Sequence, residues 1–193
     1  AIYVLARNSG EGSDRDDAPG DYELTQEEID LLTALGQNYK HVVLLLNLGG
    51  VINAAALKAI PGVDAMLLIS QSGNMGGHIV ADVLLGKSIP SGRLTDTWAQ
   101  NYMDYPSSAT FSHNNGNWHD EYYLDGIFVG YRYFDTFNVT PVYPFGYGLT
   151  YGDTQVLSVT ADRQSATVKL TNRGVDTEDV CLLYTSDAAD EAR

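Results

Sequence analysis

The feature that most constrains this chain is an unbroken aliphatic run, Val42 to Leu46, lying between two segments of helical spacing. A strand that is apolar at every position has no face to offer water. It belongs inside a parallel sheet layered with helices on both sides. Two further apolar runs, Ala1–Ala6 and Ala65–Ser70, repeat the pattern. Between the first two runs, Thr25-Gln26-Glu27-Glu28 reads as a helix start. The Thr25 hydroxyl can accept the Glu28 N–H while the Glu28 carboxylate reaches back to the Thr25 N–H. Ile29, Leu32 and Leu35 then follow at helical spacing, predicting a helix to about Asn38. A helical or looped stretch at 54–59, a Pro61-Gly62 turn, and a helix over His78–Leu85 closed by Gly86 complete the alternation. The expected class is α/β, a layered sandwich with a mostly parallel sheet.

Past Pro90-Ser91-Gly92 the texture changes. Residues 100–153 are rich in Tyr, Asn, Gly and Pro with little helical periodicity, and carry too many aromatics for disorder, so an ordered excursion over the sheet is expected. From Gln155, the segments Val156–Val159 and Ala166–Leu170 alternate at period two around a polar turn, as at the start of an Ig-like β-sandwich. The expected organisation is an α/β domain over 1–153 and a truncated β-sandwich over 154–180. Residues 181–193 read like a translated sequencing adapter, a non-native tail that holds the single Cys181. The chain opens without Met inside a strand, so it is expected to be a fragment, and nothing in it fixes a compartment.

A formal charge of −14 argues against a nucleic-acid surface, which needs clustered Lys and Arg. No apolar run approaches the ~20 residues that span a bilayer, and no basic amphipathic stretch suggests a membrane surface. His41, His78, His113 and His119 are scattered without metal-ligand spacing, so neither metal nor cofactor is expected. Most of the thirteen tyrosines are expected in core and turn packing. Gly73–Gly77, between a strand and a helix, misses the dinucleotide-loop spacing and is expected to serve close helix–sheet packing. The polar loop His113–Glu121, with Trp118, reads equally as a sugar subsite or an exposed turn.

The segment that can carry chemistry is Arg7-Asn8-Ser9-Gly10-Glu11-Gly12-Ser13-Asp14-Arg15. It leaves the carboxyl end of a strand, where ligands sit in open α/β sheets. Glycines on both sides of Glu11 remove bulk and let the backbone present one carboxylate. Arg7, Asp14 and Arg15 can fix the loop through ion pairs or hydrogen-bond a polyol. An ordinary glycine-rich turn with solvated charges would have the same composition.

Four motifs in order add to that reading. Arg7–Arg15 resembles the acid/base loop of glycoside hydrolase family 3, and Leu85-Gly86 through Pro90-Ser91-Gly92-Arg93-Leu94 is similar to another segment of that family. Asp125–Asp135 resembles its Glu-Gly-Ile-x-Val-Gly-Tyr-Arg-Tyr-x-Asp stretch, with Asp125 standing where many relatives have Glu. Pro144–Tyr151 resembles its Phe-Gly-x-Gly-Leu-Ser-Tyr motif.

The resemblance implies part of a retaining β-glycosidase, above all a β-glucosidase, acting on an oligosaccharide or β-glycoside. Glu11 would be the general acid/base, with Arg7, Ser9, Asp14 and Arg15 binding substrate. It also implies a partner, a TIM-barrel domain of the same full-length chain that carries the Asp nucleophile, and a fibronectin type III-like domain from residue 154. Retaining hydrolysis needs two carboxyl groups about 5–5.5 Å apart. The 193-residue chain alone is therefore expected to be inactive, with Glu11 ionised. The other reading of the residues is a non-catalytic carbohydrate-binding or scaffold α/β domain.

Overall fold

The computed structural model describes residues 1–8, 14–120 and 122–174. Three strands, β1 (Ile2–Ala6), β2 (Val43–Asn47) and β3 (Ala65–Leu68), form a parallel sheet in that order. Ile2 pairs with Val43, and Val43 pairs with Ala65. As its composition requires, β2 is central: Leu44, Leu45 and Leu46 are all buried, on both faces. The flanking strands are less enclosed than expected. Ile2 and Val4 of β1 are half-exposed, and β3 is only partly covered. Burial on both faces is thus a property of the middle strand. β3 also stops two residues early, because Ser70 takes a positive φ of 47° that ends the extended path.

Helix α1 (Gln26–Asn38) starts at the expected cap. The Thr25 hydroxyl accepts the Glu28 N–H at 3.2 Å, and the Thr25 N–H donates to Glu28 Oε2 at 2.9 Å. Leu32 is fully buried among the core side chains. Near its end, Gly36 meets the Pro61-Gly62 turn backbone to backbone: a Cβ on Gly36 would overlap the Pro61 carbonyl oxygen. Helix α2 (Ala54–Ala59) is capped by the Asn53 side chain, which accepts the Ala56 N–H, and buries Ala54 and Leu57.

The aromatic excursion holds short elements that periodicity did not show, two 3₁₀ turns at Tyr102–Asp104 and Phe111–His113 and one α-helix. Helix α4 (Tyr131–Thr136) is six residues long, too short for a 3.6-residue pattern to register. Its Phe134 is 2% exposed and packs edge-on to Tyr105, with ring centres 6.0 Å apart. Trp98 is buried and bridges to Tyr143 through backbone hydrogen bonds. Tyr22 and Tyr105 share this packing role, whereas Tyr123 is 90% exposed. Residues 1–76 and 96–145 form one compact unit.

Among the described residues, 77–95 and 146–174 form the other unit. A short 3₁₀ turn at Gly73–Met75 leads into α3 (Gly76–Leu84). Of the glycines here, Gly76 lies close against the preceding turn, where a Cβ would stand 3.0 Å from that of Ser72. Gly73 is required by its φ of +67°. The second and fourth sequence motifs come together: the Leu94 N–H donates to Tyr147 O, the Gly146 N–H to Leu94 O, and the Arg93 guanidinium to Gly148 O. Strands β4 (Thr154–Ala161) and β5 (Ala166–Asn172) form an antiparallel hairpin with a bulge between Val156 and Ser158. The expected tail, 181–193, and the last residues of the expected β-sandwich, 175–180, lie outside the described residues.

Candidate active site

The loop after β1 is held at both of its feet. At the first, Arg7 is 7% exposed and spends its whole guanidinium on the chain itself. Nη1 and Nη2 fork onto the two Glu28 oxygens at 2.7 and 2.6 Å. Nε donates to Asp21 O, and the remaining hydrogens go to Ala6 O and Glu23 O. Five N–H donors thus meet five acceptors, so a fork-on-fork ion pair is embedded in backbone carbonyls. Removing Arg7 would leave those carbonyls and a carboxylate without their donors.

At the second foot, Arg15 reaches Asp21 Oδ1 at 2.5 Å and Asp21 O at 2.9 Å. Its Nη1 donates to Val51 O in the loop after β2. Gly50 leaves room for that approach, since a Cβ there would stand 3.2 Å from Nη1, close enough to press the guanidinium aside by a few tenths of an ångström. Asp21 is therefore the hub: its carbonyl accepts from both arginines, while its carboxylate pairs with Arg15 and accepts the Asp16 N–H at 2.6 Å. Asn53 adds two more ties between the loops, its N–H to Tyr22 O and its side-chain amide to the Glu23 carboxylate.

Of the five residues singled out from the sequence, Arg7 and Arg15 form these clamps. Asp14 is exposed and lines the cleft described below. Glu11 and Ser9 lie outside the described residues. Sequence reasoning missed Asp21, Glu28 as the partner of Arg7, and Gly50. An arginine at each end of a glycine-rich loop is itself a signal that buried acids must answer them. Which acids do so depends on tertiary contact.

A cleft of about 370 Å³ opens beside Asp14 and Arg15 at the carboxyl ends of β1 and β2. Its walls include Tyr22, Val51, Tyr102, Tyr105 and Phe111. Tyr22 and Tyr102 meet edge-on at 5.2 Å, as do Tyr102 and Tyr105 at 6.4 Å. Burial pushes all three phenols above their ordinary pKa, and neighbouring acids such as Asp17 and Asp104 add to the effect. They remain neutral hydroxyls at any working pH. Burial raises the Glu28 carboxyl, but the hydrogen bonds from Arg7 and the Thr25 N–H outweigh it, and the net shift is downward.

The His113–Trp118 loop stands apart as a local stack. The two rings lie 4.8 Å apart, His113 Nδ1 lies 2.8 Å from Asn117 O, and Trp118 is 76% exposed. Among the described residues no group of three His, Cys, Asp or Glu side chains is placed to hold a metal, and no helix is long and apolar enough to cross a membrane.

Comparison with known proteins agrees with this architecture. Residues 1–151 match the glycosyl hydrolase family 3 C-terminal domain. The chain is 39% identical over 178 residues to a β-glucosidase of Ruminococcus albus, aligning 90% of its own length with 18% of that protein. It is 36% identical to β-glucosidase A of Butyrivibrio fibrisolvens, over 78% of the chain and 21% of the relative. Among solved structures, β-glucosidase 3B from Thermotoga neapolitana in complex with glucose superposes with a TM-score of 0.81 at 36% identity, covering 90% of this chain and 25% of that one. The chain thus spans about a fifth of the length of these curated relatives. With the sheet, the clamped loop and these matches in agreement, the chain belongs to glycosyl hydrolase family 3, of which residues 1–151 form the C-terminal domain.

Proposed function

We propose that this chain is the acid/base-supplying part of a retaining β-glucosidase, with Glu11 protonating the departing glycosidic oxygen and then deprotonating the incoming water. The observation that carries the reading is the double clamp. Arg7 with Glu28 and Arg15 with Asp21 fix both ends of a short span that holds two acids, Glu11 and Asp14, of which Glu11 is the one flanked by glycines. A proton donor must be held in register with the bond it cleaves, and two guanidinium anchors, Arg7 through five hydrogen bonds and Arg15 through three, supply that constraint. Arg7 and Arg15 then serve substrate by positioning the loop, while Ser9 and Asp14 are assigned to sugar hydroxyls.

The nucleophile belongs to a second domain of the full-length chain, a TIM barrel. The β4–β5 hairpin begins a fibronectin type III-like domain over 154–180, following an α/β domain over 1–153. Residues 181–193 are foreign to both. The similarity to β-glucosidases from Ruminococcus and Thermotoga supports the sugar.

The test is Glu11→Ala in the full-length enzyme. Hydrolysis of cellobiose, whose leaving group needs a proton, should fall by about 10²–10⁴-fold. A dinitrophenyl glucoside, whose leaving group needs none, should be cleaved to its glycosyl–enzyme at close to the wild-type rate. Equal turnover of cellobiose by variant and wild type would reject the assignment.

A further inference from the structure

We infer that Asn53 is a positioning residue for the acid/base: through Tyr22 and Glu23 it fixes, from the core, the segment on which both arginines of the loop after β1 land. The inference rests on the assignment of Glu11 as acid/base. Arg7 donates to Asp21 O and Glu23 O, and Arg15 donates to Asp21 O and the Asp21 carboxylate. A shift of residues 21–23 therefore moves both feet of the loop together. The carbonyl between those two, Tyr22 O, accepts the Asn53 N–H at 2.9 Å. Asn53 Nδ2 lies 2.9 and 2.8 Å from the two oxygens of Glu23. One residue thus holds the segment by its backbone and by its side chain, from outside the arginine clamps.

Asn53 is itself fixed. Its neighbours Ile52 and Ala54 are each 1% exposed, so the backbone on either side is locked into the core that follows β2. Its Oδ1 accepts the Ala56 N–H at 2.9 Å and caps α2. The oxygen's engagement at the cap turns the amide nitrogen to Glu23, and an acid there can accept only from a donor. Two residues earlier the same loop offers Val51 O to Arg15 Nη1. The loop after β2 therefore meets the acid/base loop directly and again through residues 21–23. Placement is worth much in a proton transfer, since an error of about 1 Å costs on the order of 10²-fold in rate.

The experiment compares the full-length enzyme with its Asn53→Asp variant on cellobiose and on a dinitrophenyl glucoside. Aspartate caps a helix as well as asparagine, so α2 keeps its start, but an oxygen now faces the Glu23 carboxylate in place of the amide. The expected result is a fall of about tenfold to hundredfold in kcat/KM for cellobiose, whose leaving group needs the proton. The dinitrophenyl glucoside, whose leaving group needs none, should stay within about twofold of wild type. Adding Glu23→Gln puts a donor back opposite the acceptor and should return the cellobiose-to-dinitrophenyl ratio to within about threefold of wild type. A ratio that Asn53→Asp does not move overturns the inference. So does an equal fall on both substrates, or a fallen ratio that Glu23→Gln leaves unrepaired, because general damage to the fold would produce either. Should Asn53→Asp fail to fold, Asn53→Ser keeps a capping oxygen, lacks the amide and reads out the same ratio. The two readings separate cleanly. Glu11→Ala passing its own test beside an unmoved Asn53→Asp ratio removes only the positioning role. A fallen Asn53→Asp ratio beside a Glu11→Ala enzyme with wild-type cellobiose activity keeps that role and moves the acid to another residue of the loop.

Discussion

At the scale of single residues, Glu28 is used twice. One carboxylate caps α1 through the Thr25 N–H and neutralises Arg7, which is buried. The two uses separate in Glu28→Gln. Glutamine can still reach back to the cap, but the guanidinium loses its countercharge in a site with little water. We expect a loss of about 3 kcal/mol in urea unfolding of the chain at pH 7. The pH dependence has a definite sign. The folded pKa of Glu28 is below its unfolded value of about 4.3, so its contribution is complete above that pH and is lost as the pH falls through the folded value. Wild type should therefore lose stability on acidification below about pH 4, and Glu28→Gln should show a shallower acid limb. The half of this arrangement readable from sequence was the local one, Thr25 and Glu28 three apart. The Arg7 contact joins residues 21 apart, and no spacing rule reaches that far.

At the scale of elements, the strands and helices followed from composition wherever one face or one period was long enough to register. Val42–Leu46 announced a buried strand, and Ile29, Leu32 and Leu35 a helix. Helix α4 escaped because six residues make fewer than two turns and follow a Gly130 with φ of 58°. Gly36 shows the limit from the other side. By propensity, alanine would improve α1 by about 1 kcal/mol. The structure reverses the sign, because that methyl group would strike the Pro61 carbonyl, and Gly62 cannot retreat while its own Cα faces Gly36. Gly36→Ala is expected to destabilise the chain by about 1–3 kcal/mol in denaturant unfolding. A gain in stability would show that the turn and helix are not in backbone contact.

At the scale of the whole molecule, the proposed function assigns the acid/base to Glu11 of this chain and the nucleophile to another domain of the full-length protein. The loop motif was legible because two glycines, two arginines and two acids follow each other within nine positions. The aromatic cleft was not, because Tyr22, Val51 and Phe111 come from three separate stretches that only the fold gathers. The central claim is that Glu11 works as the acid/base of a retaining enzyme. The most direct measurement is the product formed by full-length Glu11→Ala acting on a dinitrophenyl β-glucoside in the presence of azide. Azide needs no base to attack the glycosyl–enzyme, so the account predicts faster turnover and accumulation of β-glucosyl azide, identified by its anomeric proton coupling in NMR. Wild-type turnover with glucose as the only sugar product, azide present or absent, would contradict it.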